Sequence, residues 1–520
     1  MAKGFVKNNI PAFSGLLPLG EALAPIKAFF AAKAAPRKSI SASCFQPYPE
    51  RNPGKPCGNR ISGGHSASAP VWPAVALCLG LAGCNSAPER SADDLAVQVP
   101  AQWQAAATGE PLAASWLAAF NDPRLTALVR DGLANNFELK SAAARVDAAR
   151  EQAVIAGSGR WPQLAFSPAY QRGKNADGAG GSEYGAFSAL FNFDWELDVW
   201  GRIKAGQQAA AEEAIATDDD YRAARLSLAA RIAQVYFEWL EAQLQAEVAE
   251  ESVKDRSVIA GLVRGRFNKG LTRGLDLRLV LTDLANAEAQ LAQARNDVQN
   301  LGRQLQTLLA RYPDDRLKPS NTLPQPPAAL AAGLPAELLG RRPDVMAAFK
   351  RLRAADARLE SARKALLPRI TLTAAGGSGS PALAELIDPR AAAWHLAAGL
   401  AQPLFTGGRL QGEIRLNDAR VRQVYNQYQT VALNAFREVE QTLAAEAWLR
   451  EREKALREAV DQTEASRKLA VYSYQQGLIQ ILTLLDSYRS TLNAQSAHLR
   501  VQRQLLNNRI DLYLALGGAV

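Results

Sequence analysis

Apolar and polar residues alternate along residues 186–199, which is the pattern of an extended strand with one apolar face and one polar face. The apolar members of the alternation are Phe187, Ala189, Phe191, Phe193, Trp195, Leu197 and Val199. A strand that crosses a bilayer needs about 9–11 residues, with apolar side chains facing lipid and polar side chains facing inward. The alternation therefore predicts a strand that spans a membrane.

The apolar period becomes helical after Gly201 and stays so for roughly sixty residues, which predicts a helix about 90 Å long. Two apolar stripes follow this helix, one formed by Leu226, Ala229, Ala233, Tyr236 and Leu240, the other by Leu228, Ile232, Val235, Trp239 and Ala242. Two stripes on one helix predict packing neighbours on both sides, as in a ring or a sheet of helices.

A second long helix is predicted after the turn Gly270–Gly274, because apolar residues from Val280 to Leu308 recur at alternating steps of four and three. This spacing indicates heptad packing against antiparallel partners. An ordinary coiled-coil scaffold would show the same spacing, but it would not explain the membrane strand that precedes these helices.

The same arrangement occurs twice along the chain. Gly201-Arg202 returns as Gly408-Arg409, and Gly270-Leu271 returns as Gly477-Leu478, in both cases 207 positions later. Several landmarks that keep one offset over most of the chain indicate an internal duplication. We expect a first structural repeat at 113–312, a proline-rich linker at 313–333 and a second repeat at 334–520.

Each repeat is predicted to contain a helix, a β-hairpin and a pair of long helices. The elements predicted for the first repeat, apart from those above, are a helical stretch that the turn Asn121–Pro123 opens and that reaches about residue 156, a strand Gln163–Arg172 and a loop Gly173–Ser182. The elements predicted for the second are a short helix near Leu334–Leu339, a helix Pro343–Leu367, a strand from Ile370, a loop Gly376–Pro381, a strand Ala393–Phe405, and helices Arg409–Gln475 and Ile479–Leu516.

Two hairpins give four membrane strands per chain, and an open sheet of four strands is unstable in lipid because its edge N–H and C=O groups stay unpaired. The strands must therefore close into a barrel between chains. A dimer would give eight strands and a filled lumen, whereas a trimer would give twelve strands and an open one. The chain has no apolar run of the roughly 18 or more residues that a transmembrane helix needs, so we expect no such helix.

Charge and cysteine content narrow the functional classes. Of the formal net charge of +9, residues 1–83 carry +7, so the remainder has no basic stripe for nucleic acid. The last of the four cysteines is Cys84, and only His395 and His498 follow it, which argues against disulfides or a metal site in the body. No P-loop, Ser/His/Asp grouping or paired-carboxylate motif indicates an enzyme or a cofactor.

The N-terminal region contains a candidate secretion signal. The apolar run Val71–Gly83 ends in Leu81-Ala82-Gly83-Cys84, which resembles the bacterial lipobox, where the cysteine thiol accepts the lipid. The alternative is a chance match after a short buried helix. We expect residues 1–83 to be an over-extended N-terminus with a lipoprotein signal peptide, and residues 84–112 to form a segment lipidated at Cys84.

Four stretches resemble the outer-membrane efflux (TolC-like) family. They are WLAAFNDPRLTALVRDGLANNFEL (116–139), GLPAELLGRRPDVMAAFKRLRAADARLESARKALLPRITL (333–372), AQPLFTGGRLQGEI (401–414) and YQQGLIQILTLLDSYRSTLNAQ (474–495). Leu367 replaces an expected aromatic residue and Phe349 an expected acidic one. Together with the lipobox, the chain looks most like the lipoprotein channels of resistance–nodulation–division pumps.

The resemblance implies a mixed fold of membrane β-strands and very long coiled-coil helices, assembled as a homotrimer with a twelve-stranded β-barrel above a twelve-helix barrel. It implies a lipid-anchored protein of the outer membrane that extends into the periplasm and contacts outer-membrane lipid. The expected partners are a periplasmic adaptor and an inner-membrane resistance–nodulation–division transporter. The implied function is a passive exit duct for small toxic molecules, and the alternative is the duct of a type I protein secretion system.

The resemblance also points to a gate at the start of the last helix. Leu482, Asp486 and Arg489 follow i, i+4, i+7 spacing and so share one helix face. In the family the matching residues close the periplasmic end of the tunnel. The alternative is a solvated surface pair of Asp486 and Arg489, which would contribute only about tenths of a kcal/mol.

Overall fold

The computed structural model describes residues 90–105 except 94 and 97, residues 116–174, and residues 183–518 except 315, 320–321, 329–332 and 334. All of them belong to one compact unit, Leu81–Val520. The other unit, Met1–Gly80, lies outside the described residues, as do the predicted signal peptide and Cys84.

The first half begins with a short 3-10 turn, Trp116–Phe120. The helices and strands that follow are α1 Pro123–Asn135, α2 Phe137–Ser158, β1 Gln163–Lys174, β2 Glu183–Leu197, α3 Arg202–Asn268 and α4 Gly274–Leu308. The second half contains α5 Pro335–Arg341, α6 Pro343–Lys364, β3 Arg369–Ser380, β4 Ala392–Ala401, α7 Arg409–Gln475 and α8 Ile481–Ala515.

The helix lengths confirm the internal duplication. Helices α3 and α7 each have 67 residues, and α4 and α8 each have 35. Both pairs keep the offset seen in the sequence, since α3 and α7 begin at Arg202 and Arg409 and α4 and α8 at Gly274 and Ile481. Helices α2 and α6 have 22 residues each and begin at Phe137 and Pro343. Their offset is one residue smaller than that of the long helices. At about 1.5 Å of rise per residue, α3 and α7 are each about 100 Å long.

The four strands form one antiparallel sheet in the order β1-β2-β3-β4. Phe193 lies opposite Leu164 of β1 and Ala374 of β3, so the apolar residues of adjacent strands share one face. Aromatic rings pair across the first hairpin, with Phe166 and Phe191 centroids 4.9 Å apart. The outer strands of the sheet, β1 and β4, each have one edge that pairs with no other described strand.

The structure corrects the predicted ends of both strands in the second hairpin. The predicted loop Gly376–Pro381 is wrong, because Gly376–Ser380 continues strand β3 and pairs with Phe187–Phe191 of β2. The predicted strand Ala393–Phe405 ends at Ala401, since Pro403 has no N–H for a ladder and restricts the backbone of Gln402.

Two predicted helices also differ from the structure. The helical stretch predicted from the turn Asn121–Pro123 to about residue 156 is divided at Asn136, whose side chain accepts a hydrogen bond from Leu139 N and so caps α2. The helix predicted to reach Leu367 ends at Lys364, ahead of Pro368.

The core lies where the two halves meet. Trp239, Tyr236 and Phe237 of α3 pack with Trp116 and Tyr513 in one cluster, to which α1, α6, α7 and α8 also contribute. Both apolar stripes predicted for α3 enter this cluster, which confirms packing neighbours on two sides of that helix. Within the described parts of the chain, no helix is apolar over enough length to cross a bilayer.

Candidate functional site: the ends of the two helical hairpins

The two long-helix pairs end in turns of the same design. Gly270 and Gly477 follow the ends of α3 and α7 with φ values of 71° and 77°, which residues with a Cβ rarely adopt. Leu271 N donates to Arg266 O, and Leu478 N donates to Ser473 O, both at 2.9 Å, which closes the last turn of each helix. The chain then reverses into α4 and α8.

A hydrophobic cluster joins the two hairpins near these turns. Ile259 and Val263 of α3 pack in one cluster with Ile481, Leu484 and Leu485 of α8. Both hairpins contribute buried members in nearly equal number. The cluster fixes the orientation of α8, because the buried residues occupy one side of its first two turns.

The predicted gate residues lie on the opposite side of the same turns. Leu482, Asp486 and Arg489 are all exposed, and 57% of the Leu482 surface is accessible. Among the described residues, neither Asp486 nor Arg489 takes part in an ion pair. The structure therefore places the three side chains on one free helix face but brings none of them into contact with another charged group of the chain.

The first repeat presents a different surface at the equivalent turns. Leu275 and Leu279 occupy the positions that match Leu482 and Asp486, and Leu275 is 65% exposed. Leu279 is half-buried and packs against the cluster between the hairpins. Of these matched positions, only that of Asp486 in the second hairpin carries an exposed carboxylate.

Sequence reasoning missed the charged links between the hairpins. Arg467 of α7 forms an ion pair with Asp255 of α3, and its guanidinium lies 5.3 Å from the ring centroid of Tyr488. Nearer the turn, the guanidinium of Arg266 lies 5.4 Å from the ring of Tyr474. Cation–π contacts of this kind contribute about 0.5–2 kcal/mol.

The two tyrosines in these links remain protonated at neutral pH. Burial raises the pKa of Tyr488, and the neighbouring Asp255 carboxylate acts in the same direction. Burial also raises the pKa of Tyr474. Their rings are therefore neutral surfaces on which Arg467 and Arg266 stack.

A second ion pair stiffens the first hairpin itself. Arg256 of α3 donates from Nε to Oδ2 of Asp283 in α4 at 2.6 Å, and only 5% of its side chain is exposed. Ser252 accepts a further hydrogen bond from the same guanidinium. Removing one member of such a pair would leave a buried charge without its partner.

The N-terminal strap, formed by the described residues between 90 and 105, lies along α6 and α7. Arg90 donates to both oxygens of Asp356, at 2.5 and 3.1 Å, and its guanidinium lies 5.7 Å from the ring of Tyr425. Further along the strap, Glu440 accepts hydrogen bonds from the backbone N–H groups of Gln104 and Ala105 at 2.8 and 3.1 Å.

The internal duplication accounts for the position of Arg90. Asp356 and Tyr425 of the second half correspond to Arg150 and Asp218 of the first, which pair directly at 3.1 Å. The second half has an acid where the first has a base, so it needs a cation from elsewhere, and Arg90 provides it. No group of three or more His, Cys, Asp or Glu side chains within the described ranges is arranged to hold a metal ion.

Comparisons with known proteins agree with this architecture. The 31% identity to the outer membrane protein OprJ of Pseudomonas aeruginosa extends over 461 residues, 86% of this chain and 95% of OprJ. The pyoverdine export outer membrane protein OpmQ of Pseudomonas putida is 30% identical over 462 residues, 85% of this chain and 96% of OpmQ.

Solved structures show the same fold. The outer-membrane channel OprN superimposes with a TM-score of 0.77 at 25% identity, covering 84% of this chain and 99% of OprN. CusC superimposes with a TM-score of 0.76 at 27% identity, covering 84% of this chain and 100% of CusC. The model of the family described as "Outer membrane efflux protein" matches residues 128–311 and 334–518, one stretch in each half. The chain thus belongs to the outer membrane efflux protein family.

Proposed function

We propose that three copies of this chain close a continuous duct across the outer membrane and the upper periplasm, and that the duct conducts small molecules passively. The observation that carries the proposal is the sheet whose outer strands, β1 and β4, each have one edge that pairs with no other described strand. In lipid, each unpaired backbone group costs several kcal/mol, so β1 of one subunit pairs with β4 of the next. Three sheets give twelve strands, enough for an open lumen.

The proposed gate lies at the far end of the duct. Three exposed faces formed by Leu482, Asp486 and Arg489 converge there, and three Asp486 carboxylates favour cations. Arg489 pairs with a carboxylate of a neighbouring subunit, which holds the helices together. The exposure of all three side chains and the absence of an ion pair for Asp486 or Arg489 within the described chain support this placement.

The proposed lipid anchor is Cys84, which precedes Arg90 by only a short segment. Six extended residues span at most about 21 Å. Tyr425, which contacts Arg90, lies in α7 at a distance of about 24 Å along the helix from its start at Arg409. The extended length of residues 84–90 thus nearly equals the distance from Tyr425 to the start of α7, where the helix follows the membrane strands. This length supports the proposal that a lipid on Cys84 enters the inner leaflet of the outer membrane.

Transport through the duct takes its energy from partner proteins, because a passive channel supplies none. We assign it a periplasmic adaptor and an inner-membrane transporter of the resistance–nodulation–division class. The named exports of the relatives, which include pyoverdine, toluene and cations, differ in size and charge. This range is consistent with a wide water-filled duct that lacks a dedicated binding pocket.

The function is tested in planar lipid bilayers and in cells. Purified full-length protein is expected to insert from detergent and form ion-conducting channels, and its gene is expected to restore toxin resistance to a strain that lacks its own outer-membrane duct. The matched control is the Cys84→Ser variant, which lacks the proposed lipid but keeps the strands. Protein that integrates into bilayers and never conducts would contradict the proposal.

A further inference from the structure

The polar face of the four-stranded sheet runs across all four strands in matched rows. Asn192 of β2 lies opposite Ala165 of β1 and Ala375 of β3, and Ala375 lies opposite His395 of β4, so these residues share one face. Asn192 Nδ2 also donates to Ser167 Oγ of β1 at 3.0 Å on this face. Most aromatic side chains of the strands lie on the other face, which meets lipid in the proposed barrel. The polar face therefore lines the lumen.

The lumen face carries few charged groups. The residues of the described strands that place a carboxylate, a guanidinium or an imidazole on it are Asp194, Glu196, Arg369 and His395. Glu196 is neutralised by Arg202, whose Nη2 lies 2.7 Å from Glu196 Oε1. Arg369 begins β3 and lies four residues from Thr373, the residue opposite Asp194, which is about 14 Å along the strand. Asp194 and His395 are thus left to set the charge of the wall above the level of Arg369.

Asp194 and His395 lie in adjacent rows of the lumen face. Thr373 lies opposite Asp194 on one side and Ala397 on the other, and Ala397 is two residues after His395. Two residues of a strand span about 7 Å. Both side chains are exposed, and neither takes part in a hydrogen bond or ion pair with another described residue. Each is therefore free to act on solutes in the lumen.

The elements next to His395 bring no other charge close to it. Its partner on β3 is Ala375, and Asp388 and Arg390 in the turn before β4 pair with each other at 2.7 Å. On the other side of β4, the proposed barrel places β1 of the next subunit. The residues of β1 on the lumen face are all uncharged, namely Gln163, Ala165, Ser167, Ala169, Gln171 and Gly173. This holds in any register of β1 on β4 that keeps the polar face inward.

We propose that His395 makes the ion selectivity of the duct depend on pH, and that Asp194 sets the cation preference that the imidazole opposes. The inference rests on the proposed trimeric duct and adds the side chains that discriminate among charged solutes within its barrel. Histidine changes its charge between about pH 5 and pH 8. Above that range the two rows carry three carboxylates, whereas below it three imidazolium groups oppose them. Cationic solutes are favoured at alkaline pH, and the preference declines as the pH falls.

The width of the barrel determines how strongly these wall charges act. Twelve strands spaced by about 4.8 Å and tilted by about 40° form a backbone ring about 24 Å across. The axis is then about 12 Å from the wall, close to the Debye length of about 10 Å in 0.1 M salt and well within that of about 30 Å in 0.01 M salt. Three added charges change the ratio of cation to anion permeability by about twofold in 0.1 M salt and by about tenfold in 0.01 M salt.

The test is the reversal potential of single channels in a KCl gradient across planar bilayers, recorded at about pH 8 and about pH 5. The full-length chain carries Asp486→Ala and Arg489→Ala, so that the proposed gate adds no charge of its own. The ratio of K⁺ to Cl⁻ permeability is expected to fall by about twofold at the lower pH. His395→Gln is expected to remove most of this fall, and Asp194→Asn is expected to lower the ratio at both pH values.

The matched control is His498→Gln, because His498 is the other histidine of the described chain and lies in α8, 2.9 Å from Glu453 Oε1. This variant is expected to keep the full pH dependence. A His395→Gln channel whose permeability ratio falls as much as that of its parent would overturn the inference and leave the duct intact. An effect of pH that does not grow as the salt is diluted would also contradict it. Protein that forms no channel at either pH would overturn the proposed function as well.

Discussion

Asp486 and Arg489 illustrate how much a residue depends on the assembly. Both are exposed on the first turns of α8, while Leu484 and Leu485 on the other side are buried. Helical spacing alone predicted that Asp486 and Arg489 share a face. Their proposed partners belong to other subunits, so no contact within one chain reveals their role.

Replacing Asp486 and Arg489 together by alanine is expected to raise single-channel conductance, because the change removes both the charge and the side-chain volume that narrow the duct. Planar-bilayer recording measures this directly. The control is Arg278→Ala, which removes an exposed charge from the first hairpin near the same level. Conductance that stays unchanged in the double variant would contradict the gate.

Asp219 tests whether burial of an ionised carboxylate lowers the stability of the fold. Only 2% of the residue is exposed and its Oδ2 has no hydrogen-bond partner among the described residues. Burial raises the pKa of Asp219, although Arg222 at 3.2 Å acts in the opposite direction. A raised carboxyl pKa means that ionisation opposes folding above the folded-state pKa, and that this cost disappears below the ordinary pKa of aspartate.

Asp219→Asn is therefore expected to raise the thermal unfolding midpoint at neutral pH, with a gain that shrinks as the pH falls towards about 4. The second half already has Asn426 at the equivalent position. Asp218→Asn serves as the control, because Asp218 pairs with Arg150 and Arg222 and its loss removes those contacts. A gain that is independent of pH would contradict the burial argument.

Residue pairs far apart in sequence could not be predicted. Arg467 and Asp255 are separated by 212 positions, and Arg90 and Asp356 by 266. Periodicity assigns a side chain to a face of its own helix, but the partner on another helix follows only from how the helices pack. The charged links between the hairpins, and between the strap and α6, therefore emerged from the structure alone.

At the scale of elements, sequence pattern was most informative where one period persisted. Helices α3 and α7 follow a sustained helical period and begin directly after Gly201 and Gly408, as expected. Strand β3 was truncated in the prediction because Gly376–Ser380 contains only glycine and serine and shows no apolar alternation. Its backbone nevertheless pairs with β2, and Gly377 lies so close to Ala189 O that a Cβ would be 2.0 Å away.

The starts of α3 and α7 differ in a way that can be measured. Asp198 accepts hydrogen bonds from Ile203 N and Lys204 N at 2.9 and 2.7 Å, whereas Phe405 occupies the equivalent place before α7. Asp198→Ala is expected to cost about 0.5–2 kcal/mol of stability. Chemical denaturation followed by circular dichroism measures the loss.

The control for the capping prediction is Arg409→Ala, at the start of α7, where the N-cap residue Gly408 has no side chain to cap the helix. This substitution removes an exposed ion pair between Arg409 and Glu413, whose side chains are 59% and 44% accessible, respectively. Such pairs contribute only about a few tenths of a kcal/mol. Equal losses in the two variants would show that the Asp198 cap has no special importance.

At the scale of the molecule, the sheet and the helical turns lie at opposite ends of α3 and α7, because each helix begins just after a strand and runs for 67 residues. The duplication places two such units in each chain. A sheet whose outer strands each have one edge that pairs with no other described strand leaves the described part of a single chain incomplete. Assembly between chains supplies the missing partners.

The most direct measurement is the mass of the full-length protein extracted from membranes in mild detergent, determined by native mass spectrometry after the detergent is removed in the gas phase. Three chains per particle, with a change in gel migration on heating, are the predicted result. A monomer that remains in solution without detergent would contradict the shared barrel, and with it the duct and its gate.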